Sequence, residues 1–253
     1  MSSTVKSFAH DGSSENRTSI VRFSFSAKHE TFDSIVALLG LDSESVIWKK
    51  LPGLYGYDFR YESHGISICV AGPDSYSFSS KLEGVYVDLD RKGCRFFNRY
   101  GNGNWKQLIM FISDRLETSE CVVNRLDLRY DDCSGVFDLD AIATDVSNGT
   151  YTSRFRYLPL IEKRGVGDHL AVSSVSFGRK FSDVLILFSD ELVDEYEGYC
   201  DHFVSSRIVL RHSLASSAVF LLAGNIEEGS YYPLFSELTD LFFAVLNNYV
   251  QFT

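Results

Sequence analysis

Apolar and polar residues alternate in some stretches of this chain and recur at helical spacing in others. From Val21 onward the segment Ile20–Ser26 alternates, which predicts a strand, because successive strand side chains point to opposite faces. Glu30 to Leu39 places Phe32, Ile35, Val36, Leu38 and Leu39 at helical spacing, and Gly40 is a fitting stop. Tyr55–Tyr61 and Ile66–Val70 read as strands around a Glu62-Ser63-His64-Gly65 turn, and Gly72–Ser80 as a polar loop. Val85–Leu89 is a strand with Val85, Val87 and Leu89 on one face and Tyr86 and Asp88 on the other. Asn104–Leu116 is an amphipathic helix carrying Trp105, Leu108, Ile109, Phe111, Ile112 and Leu116.

Cys121–Asp131 is the strongest strand signal in the first half. Asp138–Val146 predicts a helix ended by Asn148-Gly149, and Tyr151–Leu158 a further strand. Val172–Phe177 and Val184–Phe188 are strands, the second a continuous apolar run and hence central. A helix is expected from about Asp190. Arg207–Leu210 is a strand leading into the apolar segment Leu214–Leu222. The last helix, Leu234 to Tyr249, should turn Leu238, Phe242, Val245 and Leu246 inward.

Short connectors within Tyr55–Val70 and within Val172–Phe188 favour antiparallel pairing. The expected class is therefore α+β, a mostly antiparallel central sheet flanked by helices. With 4 Pro in 253 residues and no Pro- or Gly-rich linker, a single domain is expected over residues 18–253, after a flexible polar arm, residues 1–17. A chain of this length should bury roughly 70–75% of its unfolded surface. No segment reaches the ~18 continuous apolar residues of a membrane span, and the polar N-terminus lacks the apolar region of a secretory signal. The 5 Cys form no CxxC pair, so neither a disulfide framework nor a zinc site is suggested. Reduced thiols and a cytoplasmic location are the expectation. There is no GxGxxG or GxxxxGK[ST] segment.

The formal net charge is -10, from 24 Lys+Arg and 34 Asp+Glu. That argues against coating DNA through a broad positive field, but leaves room for a local basic groove. Basic clusters stand at Lys49-Lys50, Arg154/Arg156, Lys163-Arg164 and Arg179-Lys180; each taken alone is equally a solvated face.

Arg125, Asp127, Arg129 and Asp131 recur at period two and share one strand face. Two readings stay open. One is a solvent-exposed strand steadied by Arg–Asp neighbours. The other is a carboxylate site. Asp127 and Asp131 lie roughly 13 Å apart along the strand, so one of them would need a partner from another strand, Asp88 or Asp90. Phosphodiester cleavage calls for a hard cation such as Mg²⁺ or Mn²⁺ on carboxylates. The six His form no HxH pair and read as surface or structural residues.

Four segments in order resemble the replication initiation factor family of rolling-circle plasmids and filamentous phages, which includes relaxases of conjugative elements. They are Gly84–Leu89 with Gly93-Cys94-Arg95; Asn124–Asp132, similar to an R-L-D-x-x-x-D-D strand; Phe177–Phe188, similar to a G-S-R-x-S-D strand; and Arg207–Arg211, similar to a late R-x-E strand. The resemblance implies an initiator nuclease fold. It implies origin DNA nicked through a tyrosine that stays joined to the 5′ phosphate. Host helicase and polymerase would follow as partners, with a homodimer as a further expectation. Asp127, with Asp88 or Asp131, would hold Mg²⁺ or Mn²⁺. Arg95, Arg125, Arg179, Lys180 and Arg207 would meet DNA, and Gly178 would allow close backbone approach.

The chain departs from that pattern where the chemistry sits. Ser189 stands where the resemblance places the nucleophilic tyrosine, Glu191 where it places lysine, Ser176 where an aromatic is common and Val209 where an acid is expected. Ser189 itself, or a displaced Tyr196 or Tyr199, is then the candidate nucleophile, with Tyr151 and Tyr157 as further tyrosines. The alternative is a catalytically degenerate relative that binds DNA or a protein partner to regulate replication.

Overall fold

The computed structural model describes residues 16–41, 46–72, 83–166, 169–190, 204–225 and 235–252. Their elements, in chain order, are β1 (Arg17–Ala27), α1 (Phe32–Leu38), β2 (Lys49–Pro52), β3 (Phe59–Ser63), β4 (Ile66–Val70), β5 (Val85–Leu89), α2 (Arg91–Tyr100), α3 (Trp105–Glu117) and β6 (Cys121–Asp132). There follow α4 (Leu139–Asn148), β7 (Tyr151–Ser153), β8 (Leu160–Val166), β9 (His169–Phe177), β10 (Val184–Ser189), β11 (Val204–Arg211), α5 (His212–Gly224), α6 (Phe235–Tyr249) and β12 (Val250–Phe252). The expected α+β class holds, with antiparallel sheet flanked by helices. The chain divides into two compact units, one of Ile20–Asp127 with Arg211–Leu234, the other of Met1–Ser19, Leu128–Leu210 and Phe235–Thr253.

In the first unit the strand order is β2-β3-β4-β5-β1-β6. The register sets Phe23 opposite Leu89 and Phe25 opposite Val87, while Ile66 and Ile68 meet the same two positions from β4. These side chains are 0–1% exposed. They form a core against helices, with Trp105 of α3 edge-on to Phe23 and to Phe97 of α2. The opposite face is polar: Ser24, Asp88, Ser67 and Glu62 lie in one row across the strands, Tyr86, Cys69 and Arg60 in the next. A half-polar antiparallel sheet of this kind is the ordinary result of alternation.

Two local differences from expectation have plain causes. The strand expected from Tyr55 begins at Phe59, because Tyr55 (φ 55°) and Gly56 (φ 90°) take left-handed conformations that end extension. Helix α2 is unanticipated, since Gly93 interrupts its pattern. A Cβ there would lie 2.3 Å from the carbonyl oxygen of Gly65, so the bare backbone is what lets α2 lie against the β3–β4 turn.

The second unit carries β6-β11-β10-β9-β8 and the small ribbon β7–β12. Val184, Ile186 and Phe188 face Leu210, Ile208 and Ser206 on β11, and Phe177 and Val175 on β9 flank Ile186 and Phe188. Around them gather Tyr130, Phe137, Phe242 and Phe243, with ring centroids 5.0–6.1 Å apart. Offset and edge-on aromatic packing of this kind stabilises beyond simple area burial. Leu238, Phe242 and Leu246 of α6 are buried as expected, whereas Val245 is half-buried. The strand expected over Tyr151–Leu158 stops at Ser153 and pairs with β12, outside the main sheet.

Strand β6 changes phase. Val123 and Leu126 are both 0% exposed although one is odd-numbered and the other even. Alternation therefore slips by one residue at Asn124-Arg125, as at a bulge. Beyond the slip Leu126, Leu128 and Tyr130 face the core. The charged face is also covered: Asp127 is 0% exposed, Arg129 5%, Asp131 4% and Asp132 2%. The solvent-exposed strand face read from the pattern is thus incorrect.

The polar arm read as residues 1–17 lies largely outside the described residues, but its end is tied down. Asn16 is buried, its amide donating to Ser134 Oγ and accepting from the Cys133 and Ser134 N–H groups, and Arg17 already belongs to β1. Cys69, Cys94 and Cys121 are free and buried, but Cys133 is disulfide-bonded, which corrects the expectation of uniformly reduced thiols. Among the described residues no helix is long and apolar enough to cross a membrane. The helix expected from Asp190 and the loop after Gly72 fall almost wholly outside the described residues.

Candidate functional site

The polar face of the first unit holds a groove of about 520 Å³ lined by Arg22, Lys49, Tyr55, Arg60, His64, Tyr86, Asp88 and Asp90 among others. Its acid and base are locked together. Arg22 donates from Nε to Asp88 Oδ1 at 3.2 Å and from Nη2 to Oδ2 at 2.7 Å, a bidentate pair. That bond raises the Arg22 pKa against the opposing effect of burial, and the charges of Asp88 and Asp127 add to the rise. The Arg22 guanidinium thus feels both charges, that of Asp88 through a direct bond. Asp127 is in turn gripped by Arg125, Nε to Oδ1 at 2.7 Å and Nη2 to Oδ2 at 2.9 Å.

Asp90, the alternative carboxylate, caps α2: its Oδ1 accepts from the N–H groups of Lys92 and Gly93 at 2.8 and 2.9 Å. Capping gives that oxygen a structural task. Tyr86 lies on the Asp88 face, and burial followed by the Asp88 charge pushes its phenol up to about 12. It stays protonated at neutral pH and makes a poor nucleophile. Arg60 contacts Glu62 through Nη1 at 3.1 Å, while its buried Nε has no hydrogen-bond partner. Arg95 is exposed on α2.

In the second unit Asp131 pairs with Arg129. Asp132 binds its own loop: Oδ1 accepts from Ser134 N–H, Ser134 Oγ and Gly135 N–H, and Oδ2 from Phe137 N–H. Ser189 ends β10, its hydroxyl 3.5 Å from the Ser205 carbonyl. By register Ser189 lies between Ser174 and Ser205, and Arg207 opposite Leu187. Tyr196, Tyr199 and Glu191 lie outside the described residues. Tyr151 packs edge-on against Phe177 in the core.

A second groove, of about 930 Å³, lies over β8, β9 and β10, lined by Arg156, Tyr157, Arg179, Lys180, Phe181, Leu185 and Leu187 among others. The Arg179 guanidinium sits 3.5 Å over the Tyr157 ring. Gly178 has φ 92°, and a Cβ there would meet Val184 O at 2.6 Å and the Phe155 ring at 2.8 Å. This chain's own packing demands that glycine.

Among the described residues no group of three His, Cys, Asp or Glu could hold a metal ion. Asp88 gives both oxygens to Arg22 and Asp127 both to Arg125. Both carboxylates are engaged by guanidinium groups in this structure. Sequence reasoning missed Arg22 and Arg60 in the first groove and Phe181 in the second. Arg22 alternates in phase with Ser24 and Ser26, and that phase was the available signal. Phe181 is an aromatic inside the polar stretch Arg179–Asp183, where no core can cover it.

No protein-family model matches the chain. It is similar to a Bacillus subtilis (strain 168) protein described as "Putative DNA relaxase NicK", 24% identical over 239 residues, covering 92% of this chain. The chain spans 62% of that relative's length. Among solved structures it resembles a rolling circle replication initiator protein from Geobacillus stearothermophilus, with a TM-score of 0.72 and 22% identity over 94% of this chain and 86% of that one. The chain therefore shares its general fold with a rolling circle replication initiator protein and has a weak sequence likeness to a protein described as a putative DNA relaxase.

Proposed function

We propose that this protein binds origin DNA in the manner of a rolling-circle initiator or relaxase, and regulates that step without cutting the strand through the residues the family pattern would use. One observation carries the choice: Asp88 and Asp127 each spend both oxygens on a guanidinium. Ser189 at the tyrosine position agrees with it, because its hydroxyl needs more activation than a phenol and its hydrogen-bond acceptor is a main-chain carbonyl. Arg179 and Lys180, exposed beside the second groove, supply cations for phosphates. Arg95 and Arg207 are further phosphate contacts under this reading.

Labelled duplex and single-stranded DNA, titrated at several salt concentrations and then incubated with Mn²⁺ on a denaturing gel, tests both halves. Expected are binding that weakens steeply with salt and no covalent adduct. Lack of binding at low salt would overturn the DNA role; an adduct that survives denaturation would overturn the non-cleaving half.

That the charges of Asp88 and Asp127 both act on Arg22 favours a second reading, metal-dependent nicking. It requires Arg22 and Arg125 to release those carboxylates to Mg²⁺ or Mn²⁺, which would polarise the scissile phosphate. With Asp131 as a further acid, Tyr196, Tyr199 or Ser189 would attack. Host helicase and polymerase belong to this reading, and a homodimer is compatible with either.

A further inference from the structure

We propose that the outer edge of β8 takes an extended segment of a partner protein as an added strand, apolar where it meets Leu158, Leu160 and Phe181 and acidic where it meets Lys163 and Arg164. The inference goes beyond the DNA-binding reading and does not depend on it.

The first observation is an open edge. β8 ends the strand order of the second unit, and among the described residues it pairs with β9 alone. An edge strand presents a row of N–H and C=O groups at strand spacing, and another strand matches both along its whole length. DNA does not match it, because phosphodiesters accept hydrogen bonds and donate none. This edge is seven residues long. By contrast β2, the edge strand of the first unit, has four residues, with Lys49, Lys50 and Pro52 among them, which guard it against pairing.

The second is exposed apolar surface at the start of that edge. Leu158 is 88% exposed, Leu160 57% and Phe181 86%, and all three line the groove beside β8. Single exposed apolar residues need no explanation, but a set gathered in one concavity marks a binding surface. Leu160 lies opposite Ser176 of β9. On its other side an added strand sets a residue against the same face, and an apolar side chain there covers Leu160.

The third is charge. Past the register shift at Glu162/Lys163, Lys163 and Arg164 are both exposed. Glu162 accepts from Ser174 Oγ at 2.9 Å, while Arg164 comes no nearer than 3.7 Å to Asp190. Opposite charges on adjacent strands stabilise the pair and like charges destabilise it. A second copy of β8 would bring two more cations and one acid, whereas an acidic segment meets both cations.

Fluorescence anisotropy with a labelled synthetic peptide of about ten residues tests the edge. The peptide alternates Val and Thr in its middle and carries Asp and Glu at both ends, so that it meets β8 in either direction. The same peptide N-methylated throughout its middle keeps its side chains and loses its donors. Expected are a Kd on the order of micromolar, slowed amide exchange over residues 160–165, and binding at least about tenfold weaker after N-methylation. Leu158→Ser should weaken the peptide about tenfold. Lys163→Glu combined with Arg164→Glu should do the same, and should restore binding to a peptide whose ends are Lys instead. Far-UV circular dichroism and thermal midpoint should stay unaltered in these variants, whose changed side chains are exposed. No binding at millimolar peptide, equal binding of the N-methylated form, or no exchange of charge preference in the double variant would overturn the proposal. Oligothymidylate that slows the same amides would make the occupant nucleic acid, and a parent dimer that Leu158→Ser dissociates would make it a second copy; either overturns it too. Loss of all DNA binding would leave these expectations standing.

Discussion

Asp132→Ala separates a structural carboxylate from a functional one. The side chain is 2% exposed and accepts hydrogen bonds at 3.0 Å from Gly135 N–H, 3.1 Å from Ser134 N–H and 2.5 Å from Phe137 N–H. Alanine leaves these three N–H groups, and the exposed Ser134 hydroxyl, without that acceptor. Ser134 and Gly135 are exposed, so water replaces the carboxylate at about 0.5 kcal/mol each. Phe137 is 2% exposed, and its N–H carries the larger cost of a buried unsatisfied donor, about 2 kcal/mol. The total is about 3 kcal/mol, a change of more than a hundredfold in the folding constant. Asp132→Asn keeps an acceptor for Ser134 and Gly135 but sets an NH₂ against Phe137 N–H, and should cost about 2 kcal/mol.

Urea unfolding followed by far-UV circular dichroism gives both values from the midpoint at unchanged slope. DNA binding, measured well below either midpoint, should be unaltered. A loss under about 1 kcal/mol for alanine, or asparagine as damaging as alanine, would refute the capping account. Lost DNA binding or cleavage at full stability would give Asp132 a functional role instead.

Two further outcomes follow from the first groove. The Tyr86 phenol is pushed up to about 12 by burial and by Asp88, above the ordinary ~10 of an unfolded chain. The folded state thus keeps a proton that the unfolded state releases, so this stability is complete below about pH 10 and is lost as pH rises toward 12. Thermal midpoints measured up that range should fall less steeply in Tyr86→Phe than in the parent; superimposable curves would contradict the shift. Gly93→Ala would stabilise an ordinary helix interior by up to about 1 kcal/mol. Here the new Cβ meets Gly65 backbone at 2.3 and 2.7 Å, so a net loss of about 1–3 kcal/mol is expected by urea unfolding, and a gain would show that α2 can shift.

The strands were largely legible because alternation survives in them. Val85–Leu89 and the Arg125–Asp131 part of β6 needed only the period-two pattern, and tight connectors gave the antiparallel hairpins. What escaped depended on contacts distant in sequence. Helix α2 carries a glycine whose reason is the Gly65 backbone. The Tyr151 strand ends early and pairs with Val250–Phe252, nearly a hundred residues on.

At the site, the pattern named Asp88 and Asp127 as candidates but said nothing of the arginines that pair with them. Arg22 belongs to a strand read only for its apolar side, and Arg125 was read as a phosphate contact although it grips its neighbour's carboxylate. A charged strand face looks the same in sequence whether water or protein covers it, and only burial decides.

Burial of both faces of β6 also governs how the strand can pair. Sliding its outer half by one position would drive Arg129 and Asp131 among Tyr130's aromatic neighbours and turn Leu128 and Tyr130 away from them. Every such one-residue slip strands charge in hydrocarbon, so out-of-phase ladders are penalised. The alternating Arg–Asp run thereby acts as a ruler during folding, whatever it does to DNA.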